Sequence, residues 1–279
     1  MKPPDSSSAA RNSDRIIHVD QPRRDRVADN DSDLDWRRLR AIEALWDVET
    51  VAVLSSLGIR KQWRCLEVGA GAGSIARWLG YRCPEGHVIA TEVDLRFLDG
   101  PMVRNFDAIF HDVVDGDEFP EGAFDLIHAR AVLAHLPDRQ EVINRAAKWL
   151  APGGWLVVED PSLFPIDSSS HSLFRRCMEA YAEMMSRCLG TDLQWSRTLP
   201  TALADAGLHV SGIRVSAVPV GDGGPGDEFW HACWKQIGPD IISAGLLMPG
   251  ELEEALDQFG SPEFMDLSWA LISAWAFKP

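Results

Sequence analysis

Three glycines at alternate positions, Gly69, Gly71 and Gly73, follow directly behind the run Cys65-Leu66-Glu67-Val68. Bare backbone is costly to order, so glycines at this density mark a turn that needs positive φ or the close approach of another group. A helix is expected next, with Ile75, Trp78 and Leu79 inward and Gly80 as its stop. Apolar strand, tight turn and helix together open a βαβ unit.

The same rhythm continues downstream. Residues 63–68, 87–93, 106–113, 124–129 and 154–160 read as five strands, and a helix is expected over 138–150. Strands alternating with helices at this spacing predict a mainly parallel sheet. Upstream, Trp36, Leu39, Ile42, Leu45, Trp46, Val53, Leu54 and Leu57 fall near one helical face, predicting a helix over 34–57 ended by Gly58.

After Asp160 the pattern changes. Residues 172–189 have strong helical periodicity (Leu173, Cys177, Met178, Tyr181, Met185, Cys188) ended by Gly190. A short helix is expected from about 196 to 207, and residues 209–220 alternate as a sixth strand. Residues 227–259 read as helical pieces broken around Pro239 and Pro249, and 268–277 as a last strand. The expected class is α/β: a doubly wound, mostly parallel sheet with helices on both faces and a helical insertion between strands five and six. Residues 1–33 are polar and Pro/Ser-rich and read as a disordered tail, in which only the patch 15–19 has apolar character. One domain is expected over 34–279, with 161–207 as an acceptor-binding lid.

The net charge of −15 narrows the partners. Residues 1–40 hold 9 Lys and Arg against 8 Asp and Glu, which leaves −16 on residues 41–279. Such a field disfavours nucleic acid and anionic membranes and attracts a cationic ligand. Five cysteines with no C-x-x-C spacing argue against a disulfide framework or zinc ribbon and for a reduced, cytoplasmic setting. No apolar run approaches the ~20 residues of a membrane span. The N-terminus has no apolar signal region. No H-x-x-x-H pattern suggests a metal.

Ligands of open parallel sheets bind at the carboxyl ends of the strands. Strand one delivers Glu67 and the glycine turn there, strand two Glu92 and strand three Asp112. A carboxylate in the position of Glu92 accepts hydrogen bonds from both ribose hydroxyls of an adenosine. A nicotinamide dinucleotide fits less well. The G-x-G-x-x-G fingerprint fails at Ser74, and Glu67 opposes a pyrophosphate. The Tyr-Lys pair of an NAD(P)-dependent oxidoreductase is also missing, since Glu85 and Met185 stand four residues after Tyr81 and Tyr181. A cationic nucleoside without phosphates, S-adenosylmethionine, suits the turn better.

The stretch Glu67-Val-Gly-Ala-Gly-Ala-Gly73 resembles the first motif, E/D-x-G-x-G-x-G, of the class I S-adenosylmethionine-dependent methyltransferases. "FDLIHARAVLAHLPD" resembles that family's fourth-strand motif, and "LAPGGWLVVED" its Pro-Gly-Gly turn into strand five. The resemblance covers residues 35–160, and the remainder by general layout. It implies a seven-stranded sheet with the last strand antiparallel and S-adenosylmethionine as cofactor. It also implies a binding set: Glu67, Gly69, Ala70, Gly71 and Gly73 beneath the methionine part, and Glu92 with Val93 at the ribose. Asp112 and the Val113 amide would meet the adenine, and Ala129 and Arg130 the methionine tail.

His135, just after strand four, is the candidate catalytic base, with a packing or cofactor-shell role as the alternative. His128 lies inside strand four as a core group. His111 should point away from Asp112, and His171 and His231 lie on the expected lid helices. No D/N-P-P-Y/F or Pro-Cys motif of the DNA methyltransferases is present. Seven tryptophans from Trp149 onward, with Phe174, Met178, Met184 and Met185, suit a core and an apolar acceptor pocket. The chain thus resembles the small-molecule branch, which tailors natural products or quinone-type metabolites in secondary metabolism. A non-catalytic S-adenosylmethionine-binding module and a homo-oligomer are both compatible with the same residues.

Overall fold

The computed structural model describes residues 32–98, 104–115 and 119–279. Residues 1–31 of the expected tail, with the patch 15–19, lie outside the described residues; 32 and 33 open the first helix. The chain runs α1 (Ser32–Ser56), β1 (Arg64–Val68), α2 (Ser74–Arg82), β2 (His87–Glu92), β3 (Phe106–Phe110) and β4 (Phe124–Arg130). It continues through α3 (Arg139–Trp149), β5 (Leu150–Ser162), α4 (Ser172–Leu189), α5 (Leu199–Asp205) and β6 (His209–Val220). The last elements are α6 (Pro225–Ser243), α7 (Pro249–Phe259) and β7 (Asp266–Phe277).

The seven strands form one sheet in the order β3-β2-β1-β4-β5-β7-β6. β1 to β5 pair in parallel, and β7 is antiparallel to both β5 and β6. Strand order reverses between β1 and β4, so the cleft outside their carboxyl ends is the place where a ligand binds such a sheet.

Alternation along the strands supplies two cores. Leu66, Val68, Ile127, Leu156 and Val158 pack with α3 and α5 on one face. Cys65, Val88, Leu126 and Val157 pack with α1 and α2 on the other. A third core stands over the carboxyl rim, where α4, α6, α7 and the start of β7 gather Phe174, Met178, Tyr181, Trp230, Trp234 and Trp269. Trp46 of α1 joins it.

Three elements depart from expectation. α2 runs through Gly80 to Arg82, because Gly80 is buried and the Asn105 amide donates to the carbonyls of Gly80 (3.3 Å) and Cys83 (2.6 Å), capping the longer helix. α6 continues through Pro239. Burial of Trp230, Trp234 and Ile241 along it outweighs the hydrogen bond that a proline removes. β5 begins at Leu150, directly behind α3, rather than after the glycines.

Candidate cofactor and methyl-transfer site

The glycine turn leaves β1 and enters α2. Gly69, Gly71 and Gly73 have φ of +65°, +56° and +84°, the left-handed region that side chains disfavour. Ala70 ties the turn to β2 through its N–H on the Thr91 carbonyl (3.0 Å). The first two glycines serve different ends. A Cβ on Gly69 would lie 2.3 Å from Val132 Cγ2, so this glycine admits the chain that leaves β4. A Cβ on Gly71 would meet only the flexible end of the Leu39 side chain, at 3.3 Å, and no main chain within 4 Å.

Glu92, the last residue of β2, faces the same turn. Its Oε2 accepts from the Gly71 N–H (2.8 Å), and its Oε1 from the N–H groups of Val93 (2.8 Å) and Asp94 (3.4 Å). Asp112 follows β3, and its Oδ1 accepts from the Val114 N–H (3.1 Å). Val113 is buried, and Arg145 donates to its carbonyl at 2.6 Å. Ala129 is buried at the end of β4, and Arg130 is the last residue of that strand.

Glu67 stands differently from its neighbours. Parallel register pairs it with His128, and both of its carboxylate oxygens lie within 2.9 Å of His128 Nδ1. His128 Nε2 reaches Glu159 Oε2 at 3.1 Å, and Glu159 also accepts from Ser273 (2.6 Å) and Thr50 (2.5 Å). All three ionisable groups are buried. Burial opposes a charged His128 ring, but the flanking Glu67 and Glu159 carboxylates outweigh it and push its pKa up to about 9. For Glu159 the same burial is outweighed by hydrogen bonds and charge from His128, which hold its carboxyl below the usual range. Glu67 therefore acts on the turn from beneath, through β1.

The sequence reading passed over the contribution of α1. Leu39, Glu43, Asp47 and Thr50 recur at helical spacing and lie on the turn and the sheet beside it. Leu39 covers Gly71, Glu43 accepts from the Ser74 N–H (3.0 Å) at the start of α2, and Asp47 accepts from Ser74 Oγ (3.0 Å). Arg130 donates to Asp47 Oδ1 (2.9 Å) and Thr50 Oγ1 (3.0 Å). Four-residue spacing of two acids on an otherwise apolar face was the available signal.

His135 lies in a 3-10 turn after β4, and its Nδ1 is 2.8 Å from Thr191 Oγ1, just beyond α4. Burial, reinforced by the charges of Arg38 and Arg139, pushes its pKa down to about 4. Beside it, the Ala134 N–H (3.1 Å) and Trp195 Nε1 (2.9 Å) donate to Asp160 Oδ2. Burial raises the Asp160 pKa to about 7 against those two hydrogen bonds. His111 packs edge-on against Phe119 and Trp149. His171 packs edge-on against Phe264, and His231 lines a surface cavity between the starts of α1 and α6. Among the described residues, no group of three or more His, Cys, Asp or Glu is placed to hold a metal ion, and no helix is long and apolar enough to cross a membrane.

A family model described as a methyltransferase domain matches residues 33–210. The chain belongs to that methyltransferase family. Its fold is that of the class I S-adenosylmethionine-dependent enzymes. The match includes α1 after its first residue and the carboxyl ends of β1 to β5. The chain is 36% identical over 134 residues to methyltransferase str3 of Strobilurus tenacellus, covering 46% of each chain. It is 26% identical over 184 residues to trans-aconitate 2-methyltransferase of Rhodococcus jostii, covering 66% of each. The match thus spans about half to two thirds of these relatives' lengths. The crystal structure of the YcgJ protein from Bacillus subtilis superposes with a TM-score of 0.58 at 16% identity, covering 83% of this chain and 98% of that one.

The residues present fit the family's cofactor, S-adenosylmethionine. At Gly71 only the flexible end of Leu39 stands before the main chain, Glu92 holds a carboxylate at the turn, and the acids nearby suit a cation.

Proposed function

We propose that this methyltransferase transfers a methyl group from S-adenosylmethionine to a small apolar or aromatic metabolite. The bound cofactor supplies an electrophilic methyl group on a sulfonium, which leaves as a neutral thioether. Glu92 and Val93 hold the ribose, and Asp112 with the Val113 N–H the adenine. Gly69, Ala70, Gly71 and Gly73 give the methionine part its close main-chain contact, with Ala129 and Arg130 at its tail. Glu67 supports the turn from below.

In-line displacement demands a positioned acceptor and little water, so the chemistry rests mainly on orientation. The observation that carries the acceptor class is the aromatic core over the rim. Trp230 and Trp269 lie 4.8 Å apart between ring centroids, Tyr181 meets Trp230 at 5.1 Å, and Trp46 meets Trp269 at 6.4 Å. The indole N–H groups of Trp46, Trp234 and Trp269 find no acceptor among the described residues. This buried aromatic cluster at the rim, with unanswered N–H groups, supports an acceptor that is flat, apolar and oxygen-bearing. Residues 161–207 and α6 act as its lid.

His135 bridges the end of β4 and the end of α4 and contacts the acceptor. With its pKa at about 4 the ring is neutral at pH 7 and a weak base. It therefore orients a hydroxyl better than it deprotonates one. Incubation with methyl-labelled S-adenosylmethionine and a panel of phenols, quinols and enols tests the reading. Label in a phenol or quinol supports it. Cofactor binding with no label in any compound replaces it with a binding module.

A further inference from the structure

We propose that Thr191, just past the end of α4, is a positioning residue that fixes the tautomer of His135 and makes its Nε2–H the hydrogen-bond donor that meets the acceptor's oxygen. The proposal rests on the reading of His135 as the group that contacts the acceptor. Thr191 Oγ1 lies 2.8 Å from His135 Nδ1 across 56 residues of chain. Main-chain bonds hold the pair in place from both sides. Gly190 ends α4 at φ +68° with its N–H on the Ser186 carbonyl (2.9 Å), and the Thr191 N–H reaches back to the Met185 carbonyl (3.3 Å). The next N–H, that of Asp192, donates to the Ala134 carbonyl (2.9 Å), one residue before His135. Arg139 donates to the carbonyls of Ala134 (3.1 Å) and Gly190 (3.4 Å) and so joins the same two segments.

The direction of the Thr191–His135 bond follows from the hydroxyl. Thr191 is 2% exposed, and its Oγ1 has no second partner among the described residues. If the ring donated from Nδ1, the hydrogen of that buried hydroxyl would be left without an acceptor, a penalty that the reverse arrangement avoids. The hydroxyl therefore donates and Nδ1 accepts. Burial and the charges of Arg38 and Arg139 keep the ring neutral, so one nitrogen alone carries a proton. That nitrogen is Nε2. It makes no hydrogen bond among the described residues, and the ring is only half-buried. A donor there can hold the acceptor's oxygen by one lone pair while another faces the methyl group, and it cannot take a proton.

The tautomer can be read without any acceptor. Nitrogen-15 NMR on the full chain with labelled histidine, at pH 7, tells a protonated Nε2 from a protonated Nδ1, and the signals missing from His135→Gln identify the ring. The wild type should show Nε2 protonated and Nδ1 bare. Thr191→Ser keeps the hydroxyl and should preserve that pattern. Thr191→Val should populate both tautomers and raise KM for a phenol acceptor about tenfold, with affinity for S-adenosylhomocysteine unchanged. A proton on Nδ1 in the wild type overturns the proposal, and so does a Thr191→Val spectrum identical to that of the wild type. If valine unfolds the protein, the wild-type and serine spectra still decide. A wild type that gives the expected spectrum yet methylates no phenol, quinol or enol counts against the proposed function and leaves the tautomer assignment standing.

Discussion

His128 and Glu67 face each other across the β1–β4 pair with every carboxylate oxygen of Glu67 within 2.9 Å of one ring nitrogen. Because Glu159 grips the other nitrogen, a cation lies between two anions inside the sheet's α1 face. Removing one member of such a set leaves uncompensated buried charge.

The first prediction concerns that set and pH. Folding raises the His128 pKa from 6.5 to about 9, so the folded state holds the proton more tightly. Its stabilisation is fully present below 6.5 and is lost as pH rises through about 9. Thermal melts should therefore fall between about pH 6.5 and pH 9. His128→Leu should cost about 3–5 kcal/mol at pH 7 and remove that fall. A melting curve that does not respond to alkali in the wild type contradicts the charged ring.

Asp160 acts in the same direction at lower pH. Its folded pKa of about 7 lies above its ordinary 3.8, so the folded protein favours the protonated acid. That contribution is greatest below about 4 and is lost as pH rises through 7. Urea midpoints at pH 5 and pH 8 should differ in the wild type. In Asp160→Asn, which keeps an acceptor for Trp195 Nε1 and Ala134 N–H, the difference should shrink.

Gly69 and Gly71 should separate packing from binding. Gly69→Ala sets a Cβ against Val132 Cγ2 and should lower the melting temperature sharply, with partial rescue by Val132→Ala. Gly71→Val bears the cost of φ +56°, about 1–2 kcal/mol, and its Cβ meets only the flexible end of Leu39. It should fold and lose cofactor binding, as calorimetry with S-adenosylhomocysteine can read.

Asp112→Ala should weaken cofactor affinity by about 1–3 kcal/mol, the usual cost of a lost charged acceptor. The same titration with an inosine analogue, which lacks the adenine amino group, should show a much smaller loss. Equal losses for both would take Asp112 away from the adenine.

His135→Ala should raise KM for the acceptor more than it lowers kcat. With the ring neutral down to about pH 4, it contributes no inflection to kcat between pH 6 and 8. A profile that rises with an apparent pKa near 7 in the wild type alone would make His135 the base after all.

The sheet was legible because each strand carries its own period, and the first three bring an acid to or just past their carboxyl ends. Glu67, Glu92 and Asp112 could be placed at one rim from spacing alone, and Gly190 ended α4 where expected. Gly80 and Pro239 were misread because both lie in helices whose neighbours outweigh local preference: Asn105 caps one from 22 to 25 residues away, and buried tryptophans hold the other. The part played by α1 was hidden for a related reason. Asp47 meets Arg130 across 83 residues, and Thr50 meets Glu159 across 109. An acid on an apolar helical face says nothing by itself about which strand end lies opposite. Its partner is fixed only when sheet and helix are packed.

Adjacent acids at the end of β5 serve opposite sides of the molecule: Glu159 answers α1, His128 and β7, whereas Asp160 answers Trp195 and the 3-10 turn after β4. A slip of one residue would exchange them and strand both. Strand five therefore works as a keyed peg between the side that carries α1 and the side that carries Trp195. Substitution at either acid has almost no freedom where that peg is seated.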